Sequence, residues 1–347
     1  MKRKYIGILL LVGFLPLLFI VFLTYSTIFE FRPPDRINIF SSEQCDTLND
    51  TSMFSAMIWN LGYAGLGANM DFFYDGGRHV RDTRDHVIRN FDSITSLIAD
   101  NDTLDFILIQ EIDLRSKRSY RINQFGKLDS LLNRHTGFFG INYKADFVPV
   151  PLYSPMGPVR SGIATYSTFV PRTVDRFSFH GDFSWPTRIF MLKRCYLVSR
   201  YPLANGKEFI LVNTHNSAYD DGSLRAGQIR ELEKFSLDEF EKGNYILIGG
   251  DWNQSPAGFQ AAYDHVFDTV DVSYLPSDFL PGWNQLYSAS CPTNRRIITS
   301  YDPCTTPTTV IDFYLASPNI VSYSIQVIDL GFMNSDHQPV LLSFAFN

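Results

Sequence analysis

The pattern of apolar positions predicts many short strands and three amphipathic helices. Strands are expected where apolar and β-branched residues run together between polar turns. These runs are residues 55–60, 106–110, 141–147, 162–167, 189–198, 209–214, 245–249, 310–316, 320–328 and 340–346. Helical spacing places three sets of apolar side chains on one face each. The sets are Val87, Phe91, Ile94 and Ile98, then Ile122, Phe125, Leu128 and Leu132, and then Leu224, Ile229, Leu232 and Phe235.

The order of these elements predicts an α/β fold. The first two helices alternate with strands, whereas the middle of the chain holds consecutive strands, which favours mixed sheets flanked by helices. We therefore predict a two-sheet α/β sandwich over residues 53–347. The polar, proline-containing stretch at 30–52 is predicted to be a linker.

The N-terminus predicts a transmembrane anchor at residues 1–29. No charged residue occurs from 5 to 29, and this apolar run is long enough to cross about 30 Å of hydrocarbon as a helix. Three basic residues at 2–4 place the N-terminus in the cytoplasm, so the body is expected in the periplasm or outside the cell. A cleaved signal peptide is the alternative. The length of the run and the lack of a small-x-small site after it favour an uncleaved, single-pass anchor in the cytoplasmic membrane.

Charge mildly disfavours a long nucleic acid as the habitual partner. The chain has 30 basic and 36 acidic residues, and removing the three basic residues of the tail leaves 27 and 36, a net charge of −9. Proteins that hold long nucleic acids usually carry a basic surface. Metal ions in a carboxylate site reverse the sign locally, so charge alone does not decide the substrate.

The four cysteines do not have the spacing of a zinc site. An extracytoplasmic location permits disulfides, and Cys291 and Cys304 are close enough in sequence to close one loop. Buried free thiols are an equally good interpretation of Cys45 and Cys195.

Polar side chains follow or begin several of the predicted strands, where ligands usually bind in α/β sheets. They are Asn60, Glu111, His215, Asp251, Asn253, Asp312, Asp336 and His337. Each one alone is commonly a turn residue, a cap or a satisfied core histidine. Together, carboxylate and amide oxygens without clustered cysteines favour a hard cation such as Mg²⁺ or Mn²⁺ over zinc.

The motifs around these residues resemble a known superfamily. They are Trp59-Asn60, Gln110-Glu111, Asn213-Thr214-His215, Gly250-Asp251-Trp252-Asn253, Ile311-Asp312-Phe313 and Ser335-Asp336-His337-Gln338-Pro339-Val340. In this order they resemble the endonuclease/exonuclease/phosphatase superfamily, which includes pancreatic-type deoxyribonucleases, apurinic endonucleases, neutral sphingomyelinases and inositol-phosphate phosphatases. Each motif is short, but six in the family's order are specific. The resemblance spans residues 53–347 and implies a four-layer α/β sandwich.

The resemblance also implies a metal site and a water-activating pair. Asn60, Glu111 and Asp336 are expected to bind Mg²⁺ or Mn²⁺. Asp251 and Asn253 are expected to orient the attacking water and to hold the phosphate or a second ion. Such a site implies a metal-dependent phosphoester hydrolase.

Two histidines complete the catalytic set that the resemblance implies. His337 is expected to pair with Asp312, which fixes its tautomer and stabilises the imidazolium as charge builds on the phosphoryl oxygens. His215 is expected to contact the phosphate or to help protonate the leaving oxygen.

The substrate stays open at this point. The insertion at 272–309 is rich in aromatic residues, and Arg160, Arg295 and Arg296 are candidates for binding phosphate. A lipid headgroup or a small organic phosphate is expected ahead of DNA or RNA, and no obligate protein partner is evident. A nuclease is the main alternative; an inactive binding protein on the same fold and a Ca²⁺-binding structural protein are others. Neither of these last two needs two positioned imidazoles.

Overall fold

A computed structural model describes residues 2–264, 266 and 273–347, and the side chains of residues 2–13 lie outside this description. The helices are α1 (Lys2–Ile28), α2 (Arg84–Asp100), α3 (Gln124–Leu131) and α4 (Ser223–Phe240). The strands are β1 (Arg36–Ser41), β2 (Met53–Asn60), β3 (Phe106–Asp113), β4 (Thr136–Val148), β5 (Gly157–Ser167), β6 (Thr173–Ser178), β7 (Cys195–Pro202), β8 (Glu208–His215), β9 (Tyr245–Asp251), β10 (Asn284–Leu286), β11 (Asn294–Arg295), β12 (Thr308–Thr309), β13 (Asp312–Ala316), β14 (Ile320–Val327) and β15 (Val340–Phe346).

The strands form two mixed sheets that pack face to face. One sheet has the order β1-β6-β7-β8-β9-β13-β10, and the other has the order β14-β15-β2-β3-β5-β4. Their facing sides share a core that includes Phe106, Phe209, Tyr314 and Phe344. This core confirms the predicted α/β sandwich of two mixed sheets.

Helices cover the outer side of each sheet. The apolar face of α2, with Phe91 and Ile94, packs on Trp59 and Ile109 of the six-stranded sheet, where α3 also contributes Leu128. The other sheet is covered by α4 through Ile229 and Leu232. The stripes of the first two predicted helices face the core, and so do Ile229, Leu232 and Phe235 of the third, because burying one apolar face is what stabilises an amphipathic helix. Leu224, in the first turn of α4, is not part of this core. The layers run helix, sheet, sheet, helix.

Two parallel strand pairs determine where polar strand ends collect. β2 is parallel to β3, and β8 is parallel to β9. A parallel pair needs a crossover connection, and α2 and α4 provide the two crossovers. The carboxyl ends of both strands in a pair then lie at the same edge of the sheet. Asn60 pairs with Gln110, and His215 pairs with Asp251.

The predicted linker and one predicted strand need correction. Within residues 30–52, β1 pairs antiparallel with β6 and forms the edge of the seven-stranded sheet. Its weakly alternating, half-exposed pattern resembles a polar connection in sequence. Residues 189–198 do not form one strand, because Thr187–Phe190 is a 3₁₀-helix and β7 begins only at Cys195.

The apolar N-terminal run is helical, as α1. Among the residues that the structure describes, none of the helices combines the length and the apolar character needed to cross a membrane.

The four cysteines are free thiols, so the expected disulfide between Cys291 and Cys304 is wrong for this structure. Cys291 is half-buried, and its sulfur contacts the carbonyl of Pro292 and the side-chain amide of Gln338. Cys304 lies in an exposed turn. The two thiols therefore face different surroundings although they are near in sequence.

Acid should weaken the ion pairs that attach α4 to the seven-stranded sheet. Glu239 is buried and accepts hydrogen bonds from Arg200 (2.6 Å), Lys242 (2.9 Å) and Asn244 (2.9 Å). Burial alone would raise the pKa of Glu239, but these partners outweigh it and lower the pKa to about 2. A carboxylate with a depressed folded pKa stabilises the fold above its unfolded pKa, and this stability is lost as the pH falls through the folded pKa.

We predict that Glu239→Gln lowers the free energy of unfolding by about 2 kcal/mol at pH 7, since hydrogen bonds to a charged group are lost. The difference from wild type should shrink as the pH falls from 4.5 toward 2. Urea unfolding across this range measures it. Asp238→Asn, in an exposed pair on the same helix, is the control and should cost less than about 1 kcal/mol. A difference that is independent of pH would contradict the assignment.

Candidate active site

A bulge in β3 aims Glu111 into the space between the two sheets. The pairing of β3 with β5 shifts register between Ile109 and Ile112, and Glu111 adopts a φ of +51°. The left-handed region costs a non-glycine residue of order 1–3 kcal/mol and is commonly found at functional sites. A bulge also redirects a side chain out of the regular alternation of a strand. The carboxylate is partly exposed, and its Oε1 lies 3.8 Å from Nε2 of His215.

Asn60 connects the two sheets at the site. Its Nδ2 donates to Oδ2 of Asp251 (2.9 Å), and its Oδ1 accepts from the backbone N–H of Gly62 (2.9 Å). Asn60 ends β2 in one sheet, whereas Asp251 ends β9 in the other. The amide thus holds the Asp251 carboxylate and fixes the turn that follows β2.

Asn253 is held beside Asp251 by the same loop. Its backbone N–H donates to Oδ1 of Asp251 (2.9 Å), and its Nδ2 donates to the carbonyl of Asn216 (3.0 Å). Its φ is +50°, so the loop turns back sharply on the strand end. Both oxygens of Asp251 are therefore positioned, one by Asn253 and one by Asn60.

Gly250 allows β8 and β9 to approach closely beside Asp251. Its φ is +147°, and a Cβ there would stand 2.0 Å from the carbonyl oxygen of Thr214. Real Cβ atoms essentially never come within 3.0 Å of another heavy atom. The glycine in the Gly-Asp-x-Asn motif is thus required by the backbone.

His337 and Asp312 form a buried pair. The Nδ1 of His337 lies 2.8 Å from Oδ2 of Asp312. Burial would lower the pKa of His337, but the charges of Asp312, Asp336 and Asp251 outweigh it and raise the pKa. The imidazolium is therefore favoured. On the side opposite to Asp312, Nδ2 of Asn294 lies 3.0 Å from Nε2. This amide nitrogen can donate only to a neutral ring, so the Asn294 amide must present its oxygen instead when His337 is an imidazolium.

His215 has the opposite electrostatic environment. Its Nε2 lies 3.4 Å from Oδ2 of Asp251, and its Nδ1 has no hydrogen-bond partner among the described residues. Burial and then the positive charge of Arg194 lower its pKa well below the usual value. The pKa values of the two histidines are therefore shifted in opposite directions, which favours the neutral form at His215 and the imidazolium at His337.

The acids of the site fit a divalent cation. The carboxylates of Glu111, Asp251 and Asp336 line one cavity. Burial, with a contribution from the charge of Glu111, raises the pKa of Asp336 to about 7. Such crowding of like charges is relieved by a cation, and carboxylate and amide oxygens are what Mg²⁺ and Mn²⁺ prefer.

A second grouping of possible ligand atoms overlaps this one. Among the described residues, one ligand atom from each of Asp251, Asp312 and His337 can be chosen so that all three lie within 4.8 Å of one another. Asp312 already faces the imidazole of His337, so we assign these two to the catalytic pair. The residues that would hold a metal are Asn60, Glu111 and Asp336, with Asp251 and Asn253 beside them.

The predicted arginines are not equivalent. Arg160 is exposed and does not line the cavity, so the structure does not bring it to the site. The guanidinium of Arg295 donates to the carbonyls of Leu66, Gly67 and Met70, which gives it a structural use although it borders the cavity. Arg296 does line the cavity. Residue 272, at the start of the predicted insertion, lies outside the described residues.

Two cations at the cavity were missed from the sequence. Arg118 pairs with the buried Asp113, and its guanidinium lies 3.7 Å from the ring centre of Tyr63. Arg194 precedes β7 and lines the cavity. The apolar run at 189–198 concealed it, because a strand prediction through this position gives no reason to single out one arginine.

These groups surround a cavity of about 290 Å³. It is lined by Glu111, Asp251, Asp336, His215 and His337, among others. Most of the side chains predicted at the strand ends therefore do meet in one place.

The family comparison agrees with this geometry. The model of the endonuclease/exonuclease/phosphatase family matches residues 57–337. The chain belongs to this family. Its members are phosphoesterases and nucleases, and they generally depend on a divalent metal. No curated protein matches the chain at a significant level.

Solved structures show the same fold at low identity. The endonuclease/exonuclease/phosphatase from Beutenbergia cavernae DSM 12333 is 15% identical with a TM-score of 0.56, over 85% of this chain and 72% of that one. The human nocturnin catalytic domain with a bound sulfate anion is 16% identical with a TM-score of 0.53, over 91% and 99%. D. rerio TDP2 complexed with a single-strand DNA product is 15% identical with a TM-score of 0.51, over 84% and 99%.

We predict that Gly250→Ala destabilises the protein by about 3 kcal/mol or more, because the new methyl group must separate β8 from β9. Gly227→Ala is the matched control. Gly227 lies inside α4 with open space around its Cα, so alanine there should stabilise the helix by up to about 1 kcal/mol. Thermal unfolding of both variants measures the contrast. Equal melting temperatures would contradict the close approach.

Proposed function

We propose that the protein is a divalent-metal-dependent phosphoester hydrolase that uses Mg²⁺ or Mn²⁺. One observation carries the proposal: carboxylates from both sheets line one cavity together with His215 and His337. Neither a binding protein nor a structural Ca²⁺ site needs two positioned imidazoles.

Asp251 is the best-placed general base. Hydrogen bonds to both of its oxygens keep the carboxylate in one orientation. It can accept one proton from a water molecule as the water oxygen attacks phosphorus and the ester P–O bond breaks. His215 lies 3.4 Å away and, as a neutral imidazole, can accept this proton from Asp251 and release it to the leaving oxygen. The proton lost by the water then ends on the alcohol product, so the step consumes no net proton.

His337 stabilises the charge that develops on the phosphoryl oxygens. Asp312 holds its Nδ1, so Nε2 faces the cavity side where Asn294 makes its contact. A donor fixed in advance needs little reorganisation during the reaction, which is why such groups contribute strongly to catalysis. A bound divalent ion supplies further charge neutralisation at the phosphate.

We predict that EDTA abolishes hydrolysis and that Mg²⁺ or Mn²⁺ restores it. Glu111→Gln, Asp251→Asn, Asp312→Asn and His337→Gln should each lower kcat by about 100-fold or more, since a ligand or a proton-transfer group is lost. Release of p-nitrophenol from mono- and bis-(p-nitrophenyl) phosphate measures activity, and circular dichroism checks folding. Glu43→Gln, at an exposed position outside the site, is the control.

Full activity in EDTA, or normal turnover by any two of the four variants, would show that the proposal is wrong. Loss of activity in the control variant would show instead that the assay reports stability.

We also propose that residues 5–29 attach the protein to a membrane and that its body lies outside the cytoplasm. Large apolar side chains along the described part of α1 are exposed, and exposed patches of this kind mark contacts with a membrane or with another protein. They are Phe14, Leu15, Leu17, Leu18, Phe19, Ile20, Val21, Tyr25, Ile28 and Phe29. The end of the helix is held against the body, since Phe22 stacks on Phe190 and Glu30 pairs with Lys193 (3.0 Å).

Cell fractionation tests the attachment. The full-length chain should stay in the membrane pellet after a carbonate wash, and Leu18→Lys with Phe19→Lys should release it, because each buried charge costs about 3 kcal/mol. A reporter fused after residue 347 should be active only outside the cytoplasm. A soluble wild-type protein, or a reporter active in the cytoplasm, would contradict the respective part of the proposal.

A further inference from the structure

A bridge of three side chains joins the two halves of the active-site cleft. We propose that it closes one end of the cleft, so that the site accepts small or chain-terminal phosphoesters and excludes phosphodiesters inside a continuous polymer. This inference rests on the proposed hydrolase function and names its substrate class.

The bridge consists of Tyr74, Asp75 and Tyr219. The hydroxyl of Tyr219 donates to Oδ1 of Asp75, and the rings of Tyr74 and Tyr219 stack with centroids 5.5 Å apart and planes 27° apart. Tyr74 and Asp75 lie in the segment that follows β2, whereas Tyr219 lies in the loop that follows β8. Since β2 and β8 belong to different sheets, the bridge crosses the cleft between them.

Both sides of the bridge are held in place. Oδ2 of Asp75 accepts from the backbone N–H of Ile297 (3.0 Å), so the bridge is attached to the insertion that carries β11. The hydroxyl of Tyr74 contacts the sulfur of Met191, in the loop that precedes β7. Tyr219 itself has a φ of +59°, a conformation that persists only where its surroundings hold it.

The cavity beside the bridge suits a small group. All three bridge residues line the same cavity of about 290 Å³ as the catalytic acids. This volume is at the lower end of small-ligand sites, which are roughly 300–1,000 Å³.

The lining of the cavity indicates the chemistry of the ligand. Phe72, Phe179, Phe183 and Met156 supply apolar walls next to the catalytic acids. Five arginines add positive charge to the same walls, and they are Arg118, Arg194, Arg225, Arg295 and Arg296. Apolar walls fit the substituent of a small ligand, and arginines suit its phosphate group. The ligand is therefore a phosphate group carrying one modest apolar or aromatic substituent.

The geometry has a direct consequence for polymers. A phosphodiester inside a chain has nucleotides on both sides, and the chain must extend out of the cleft in both directions. With one end of the cleft closed by the bridge, the chain can extend out in one direction only. A terminal phosphoester has nothing to place on the closed side and fits.

Linear and circular single-stranded oligonucleotides of one sequence test this directly, because the circle has no ends. With the full-length protein and Mn²⁺, we expect the linear form to be hydrolysed at least about 100-fold faster than the circle, a discrimination within reach of steric exclusion from a pocket. Tyr219→Ala should reduce this ratio by about tenfold or more, equivalent to about 1.4 kcal/mol. Tyr219→Phe, which removes only the bond to Asp75, should have a smaller effect in the same direction.

Tyr323→Ala is the matched control, since this exposed tyrosine lies on β14, away from the cavity. Its linear-to-circular ratio should stay within about twofold of wild type, as expected for an exposed substitution.

A third substrate, phosphatidylcholine vesicles, separates two sources of a terminal group. Released phosphocholine would identify a lipid-borne ester, and nucleotides released from oligonucleotide ends would identify a nucleotide-borne one; either supports the inference.

Two results separate failure of the inference from failure of the function. If wild type cuts the circle as fast as the linear form, or if the ratio is unchanged in a folded Tyr219→Ala variant, the inference is overturned and the hydrolase remains. If p-nitrophenyl esters, oligonucleotides and vesicles all resist hydrolysis, the proposed function fails. Fluorescence anisotropy of the labelled oligonucleotides on Asp251→Asn then decides the inference, since equal binding of circle and linear form would overturn it and binding of the linear form alone would support it.

Discussion

The active site depends on a hydrogen bond between two sheets, from the amide of Asn60 to the carboxylate of Asp251. Each sheet contains one parallel pair, and each pair ends at the edge where this bond lies. The two sheets therefore have to pack in one fixed alignment before the acids can converge. Buried acids near each other repel, so the rigid strands on either side must hold them together.

That electrostatic cost shapes the rest of the site. Asp312 offsets the charge of His337, and Asn60 and Asn253 donate to both oxygens of Asp251. Burial raises the pKa of Asp336, and a bound cation would offset this by favouring the charged carboxylate. Local strain adds to the same cost, since Glu111 and Asn253 both have positive φ values. The stable core between the sheets offsets the free-energy cost of this strain.

The loops around this centre are joined to one another by side-chain contacts. The segment after β2, the loop after β8 and the insertion with β11 are joined by Tyr74, Asp75 and Tyr219. Function in α/β folds is generally carried by such loops on a rigid scaffold. Family membership therefore identifies the type of reaction, whereas the bridge bears on which phosphoester can reach it.

Much of the fold and most of the site could be predicted from the sequence, because they depend on local patterns. Alternating and helical apolar spacing identified the core strands and α2 to α4, and short motifs identified Asn60, Glu111, Asp251 and His337. Pattern alone failed for β1, whose half-exposed residues form a strand only because β6 lies beside it. It also failed for Arg295, which was predicted to bind phosphate. Its guanidinium instead donates to carbonyls 225 to 229 residues away in the chain. The bulge at Glu111, the contact of Asn294 with His337 and the bridge at Tyr219 were decided only by the tertiary structure, because each depends on which distant backbone or side chain stands opposite.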